Sequence, residues 1–244
     1  MKRTKTIFAS GKQIQKILFV TAVMLAITFS ACGEAFTANS AYDARMKALP
    51  VFQTCALSAE YPESSTQKGH VLRWERSIHI YVSGNPTKQD LKTLNSFLME
   101  LALRVPDMPN ISITEEEDKA NMHIYYVKLA EMDKFIPNYV KGNWGMFHYS
   151  YNTYRLKEAW IGIATDVTNQ RSRNHLIKEE IVGALGLFND HNVYDDSILY
   201  QKWTTVQDLS ELDWIMLNML YSPLIKPGDN AETIEKTFTQ AWSK

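Results

Sequence analysis

The stretch Asn174-His175-Leu176-Ile177-Lys178-Glu179-Glu180-Ile181-Val182-Gly183-Ala184-Leu185-Gly186-Leu187-Phe188-Asn189-Asp190 limits the fold more than any other part of this 244-residue chain. Leu176, Ile177, Ile181, Ala184 and Leu185 recur at three- and four-residue intervals, which predicts a helix with one apolar face. Glu180 falls one turn after Leu176 and one turn before Ala184, so it borders that face and is expected to be partly buried. Gly186 suits the position just past the helix, where a left-handed residue turns the chain and Leu187 folds back over the last turn.

The rest of the chain supplies a sheet for this helix to pack on. Ile78, Ile80 and Val82 alternate with His79 and Tyr81, the period of a strand with one apolar face. Thr87 reads as a helix N-cap, and Leu91, Leu94, Leu98, Leu101 and Val105 keep helical spacing until Pro106 stops them. Further strands fit 110–113, 122–127 and 159–164, while the aromatic stretch 135–154 reads as irregular structure or a short edge strand. Ser210 and Asp213 have capping-box spacing ahead of a helix with Met216 and Met219 in the core, and 231–242 predicts a short terminal helix. One strand, a helix, more strands and then helices imply an α+β domain over 71–244.

The helix and its glycine resemble the metzincin active-site motif HExxHxxGxxH with everything kept except the ligands. With Gly186 on the motif glycine, Glu180 takes the place of the catalytic glutamate, Glu179 of the first histidine, Gly183 of the second and Asn189 of the third. The segment 209–223 looks like the helix that follows the Met-turn in such enzymes. The pair EExxxxLGLxND and SELDxxxLxxLYxPxIKPG is also similar to a family of uncharacterised bacterial envelope proteins, a domain of unknown function related to the metzincins by fold. The resemblance implies a zincin-like fold: a twisted mixed sheet, a backing helix, an active-site-type helix and C-terminal helices. It implies no activity.

A catalytic zinc takes three protein ligands and a water. Glu179 can serve as one, but Gly183 has no side chain and Asn189 offers a neutral carbonyl. His175, one turn before Glu179, could recreate a His/Glu pair, with Asp190 or His191 arriving after the turn. The bland reading is an i, i+4 pair of His175 and Glu179 on a partly exposed surface, with Glu180 pinning the turn rather than acting as general base. The expectation is therefore no cofactor, with zinc or another divalent cation as the alternative. Asp190, Asp195 and Asp196 lack the order and glycine of an EF-hand.

The N-terminus reads as an address. Lys2, Arg3, Lys5, Lys12 and Lys16 precede an uncharged apolar segment, 17–31, which is the layout of an export signal over 1–31. Ser30, Ala31 and Cys32 resemble a bacterial lipobox, which implies a diacylated Cys32; cleavage after Ala35 and plain secretion stay open. Residues 32–70 read as a tether and N-terminal extension. Cys55, the other of two cysteines, is expected in the core, or paired with Cys32 if no lipid is added. Lys and Arg total 26 against 27 Asp and Glu, which leaves no electrostatic footprint for nucleic acid.

These readings combine into an exported, lipid-anchored protein of the cell envelope, facing the periplasm or outer membrane. Its zincin-like domain has lost its metal site and works in binding or assembly with an envelope protein or peptide. The alternatives are a zinc metallopeptidase with unusual ligands and a purely structural lipoprotein.

Overall fold

The computed structural model describes residues 38–58 and 69–242. The chain divides into two compact units, Met1–Ala41 and Tyr42–Lys244. The segment read as an export signal, Cys32 and residues 59–68 of the N-terminal extension lie outside the described residues.

The sheet has five strands in the order β2-β1-β3-β5-β4: β1 (Ile78–Gly84), β2 (Ile111–Ile113), β3 (Met122–Val127), β4 (Gly145–Asn152) and β5 (Arg155–Ala164). β2, β1, β3 and β5 run parallel, and β4 pairs antiparallel with β5 at one edge. Ile78, Ile80, Ile124, Ala159, Ile161 and Ile163 are buried. Tyr81, His123, Trp160 and His148 form one cross-strand row over four strands.

Helix α1 (Ala38–Leu57) opens the described chain, α2 (Lys88–Arg104) crosses from β1 to β2, and α3 (Gln170–Leu185), α4 (Glu211–Tyr221) and α5 (Ala231–Trp242) follow the sheet. The first turn of α2 is closed by a capping box in which Thr87 and Asp90 exchange side-chain-to-backbone bonds. Ser210 and Asp213 do the same for α4. α2 and α3 are joined by buried polar contacts: Arg173 Nε lies 3.1 Å from Asp90 Oδ1, and Thr93 Oγ1 donates to Asn174 Oδ1 at 3.0 Å. Met216 and Met219 are buried as expected. The mixed sheet, backing helix, glycine-ended helix and C-terminal helices implied by the metzincin resemblance are all present.

Three local readings are corrected or sharpened. Residues 38–48 are no tether; they begin α1, and Ala48, Leu49, Val51, Phe52, Cys55 and Ala56 lie in the core. Burying a side chain such as Phe52 contributes about 1.5–3 kcal/mol, so this helix belongs to the fold. For the aromatic middle the edge-strand alternative holds over the irregular one, and the strand, β4, is eight residues long. α3 starts earlier than its apolar stripe suggests, because Asn169 accepts the Ser172 N–H at 2.9 Å and caps it.

The start of the sheet domain is stitched to the end of the chain. Val71 N–H donates to Asp229 O at 2.8 Å, Gly228 N–H to Val71 O at 2.9 Å, and His70 Nδ1 lies 2.9 Å from Gly228 O. Arg73 Nη1 donates to the carbonyls of Leu220 and Ser222, both at 2.9 Å.

Candidate functional site

α3 ends as the sequence predicts. Gly186 has φ +129°, and a Cβ there would meet the Leu72 carbonyl oxygen at 2.5 Å, so glycine is required by both conformation and space. Its N–H bonds to the Gly183 and Val182 carbonyls, and the chain then turns with Leu187 and Phe188 buried.

A cavity of about 420 Å³ opens beside this helix. Its walls are Trp144 and the start of β4 (Gly145, Phe147), one face of α3 (His175, Glu179, Glu180) and the strap 199–204. Glu180 is buried, and its carboxylate lies against the Cα of Gly145; a side chain at 145 would collide with it and with Leu176 Cδ2 at 2.8 Å. The sequence could place Glu180 on the border of the stripe, but the glycine that admits it is 35 residues earlier.

His175 is 2% exposed, deeper than a surface pair would be. Its Nδ1 lies 2.8 Å from the Val206 carbonyl and must donate to it, which leaves Nε2 facing Glu179 Oε2 at 3.4 Å. Burial lowers the His175 pKa from its ordinary value, and the Val206 hydrogen bond opposes that shift. The ring also meets Trp203 edge to face, centroids 5.8 Å apart.

The position corresponding to the second metzincin histidine, Gly183, is filled from across the cleft. The Phe147 ring lies where a Cβ on residue 183 would project, with Cδ1 and Cζ both at 2.8 Å from that point. Phe147 stacks with Phe188 at 6.2 Å, and Phe188 with Tyr149 at 4.3 Å, so the space belongs to an aromatic cluster. Asn189 turns away from the cavity: its N–H donates to Cys55 O at 3.2 Å and its Nδ2 to Ser58 Oγ at 3.1 Å. It pins the glycine turn to α1. Asp190 lines the cavity, whereas His191 lines a neighbouring pocket with Lys47 and Thr54. His191 is 4% exposed; its Nδ1 accepts the Val193 N–H at 3.2 Å, and burial lowers its pKa while Asp213 and Asp196 oppose the shift.

A zinc ion does not fit this arrangement. Among the described residues, no group of three or more His, Cys, Asp or Glu side chains could hold a metal. His175 and Glu179 are adjacent, but Gly183 contributes nothing, Asn189 is committed to α1, His191 lines the neighbouring pocket, and Asp190, although on the cavity wall, does not complete a three-ligand group with the pair. A pair of ligands is one short of the three a catalytic zinc takes.

Trp144, Phe147 and Trp203 are among the cavity residues that sequence reasoning missed, with Gly145 and the rest of the strap. Trp144 directly precedes the edge strand and Phe147 lies in it, in the stretch whose structure the sequence left open, and Trp203 sits in a segment without periodicity. Trp144 and Trp203 are 39% and 55% exposed and meet edge to face, centroids 5.3 Å apart.

Residues 47–240 match a family described as protein of unknown function (DUF2927), and the chain belongs to that family. No curated protein matches the sequence. Among solved structures, the chain is similar to the crystal structure of myroilysin, with 10% identity, 70% of this chain and 93% of that chain covered, and a TM-score of 0.44.

Proposed function

We propose that this member of a family of unknown function is an exported, lipid-anchored envelope protein whose cleft binds a polypeptide partner without cleaving it. The observation that carries the reading is the Phe147 ring lying over Gly183, which puts packed hydrocarbon where the motif requires a metal ligand. The cavity beside it remains large enough for side chains of a partner. β4 has one neighbour in the sheet, so the backbone groups along its other side are not used by the sheet and can pair with an extended segment. An open cleft favours binding over a purely structural role.

Metal analysis of the full chain, purified without chelator, separates this reading from the metallopeptidase. The binding reading expects substoichiometric metal and no change on Glu179→Ala. Stoichiometric zinc that disappears in Glu179→Ala would overturn it. The anchor has its own test: a Cys32→Ser change is expected to abolish palmitate labelling, and persistent labelling would refute lipidation at that residue.

A further inference from the structure

The aromatic corner of the cavity and the charges around it indicate what the cleft selects, given that it binds a polypeptide at all. Trp144 and Trp203 keep 39% and 55% of their surface exposed inside a cavity wall, although large aromatic rings are ordinarily covered. They stand nearly perpendicular, 79° apart, and Trp203 also meets His175 edge to face, yet both indoles stay substantially uncovered. An open indole face carries negative charge density and attracts cations. The charged residues of the cavity wall are mostly acidic: Glu179, Glu180 and Asp190 line it, against one basic residue among the described ones, Lys202 beside Trp203. Burial disfavours the protonated form of His175, so it adds no opposing charge near neutral pH.

We propose that this cavity takes the cationic side chain of a lysine or arginine carried by an extended segment of a partner protein. The carrier is a polypeptide because β4 begins at Gly145, directly after Trp144, so a chain laid along that edge strand passes the corner. The aliphatic stem of lysine or arginine packs on the half-buried Phe147 at the cavity wall while the charged end meets the indoles and carboxylates. The inference rests on the binding reading above but makes a separate claim, namely the sign and type of the side chain taken.

The probes are blocked heptapeptides with a central lysine, norleucine or glutamate, titrated into the full chain by calorimetry and tryptophan fluorescence. The lysine peptide is expected to bind at least about tenfold more tightly than the norleucine peptide. That preference should shrink at about 1 M salt, where the screening length is about 3 Å. Trp203→Ala should erase the preference, and Trp203→Phe should restore part of it in a protein with unchanged circular dichroism. Equal affinity for the lysine and norleucine peptides would overturn the cation claim and leave peptide binding standing. Binding of n-butylamine as tight as that of the lysine peptide would overturn the polypeptide carrier. If none of the three peptides binds, both this inference and the binding reading fall.

Discussion

The Phe147 ring occupies the space that a side chain at Gly183 would enter, and neither residue can change alone without disturbing the other. Gly183 sits inside α3, where alanine is favoured over glycine by about 1 kcal/mol. Overpacking a filled core costs about 1–3 kcal/mol, so the clash should win. Gly183→Ala is therefore expected to lower the urea midpoint. In a Phe147→Leu background the same change should be neutral or stabilising; an unchanged cost there would show that the ring is not the obstacle.

Asp90 is fully buried between α2 and α3. Burial by itself would raise its carboxyl pKa, but hydrogen bonds from Thr87, Gln170 and Arg173 outweigh it and hold the group below its ordinary 3.8. Asp90→Ala leaves the buried Arg173 charge without its carboxylate, with only the neutral acceptors of Thr168 and Gln170, and is expected to cost about 3–5 kcal/mol in denaturant unfolding. Because the folded pKa is depressed, the stabilisation is complete above the unfolded value and is lost as pH falls through the folded one. An Asp90→Asn protein should accordingly show a shallower loss of stability below about pH 4 than the wild type.

How much of this was legible in the sequence depended on where the determining contact lay. The caps of α2 and α4 are local, three residues apart, and could be read directly. The stripe of α2 was only partly legible, since Leu91 is 36% exposed while Asp90, with no apolar character, is fully buried against Arg173 83 residues away. α1 hid behind Pro50, which normally breaks a helix but here is exposed within one. The loss of ligands at 183 and 189 was visible in the motif. What replaced them was not, because Phe147 and Ser58 reach the site from other elements.

Three histidines, His148, His175 and His191, have pKa values lowered by burial. Each is neutral in the fold and takes up its proton more readily once unfolded. Stability should thus be complete above about pH 6.5 and decline as pH falls through the interval below it. Thermal unfolding from pH 7.5 to 5 is expected to show a falling midpoint, and His175→Gln should reduce the slope. A midpoint that rises on acidification would contradict the burial of these rings.

Cys55 is a free, buried thiol whose pKa is pushed up, chiefly by burial and further by Asp190 and Asp213. The thiolate is the reactive form, so a Cys32→Ser protein should react negligibly with a disulfide reagent at pH 8 while folded. One equivalent should react promptly in denaturant. Fast reaction in the native protein would mean that α1 detaches from the core.

The bonds joining Val71 to Gly228 and Asp229, and Arg73 to the carbonyls of Leu220 and Ser222, make the head of the sheet domain depend on the tail of the chain. The two Arg73 bonds span 147 and 149 residues. Contacts this distant in sequence form only after the intervening loop has closed, which places them late in folding. A chain cut before residue 220 keeps every strand but lacks the groups that hold residues 71–73, so the domain is completed by the segment synthesised last.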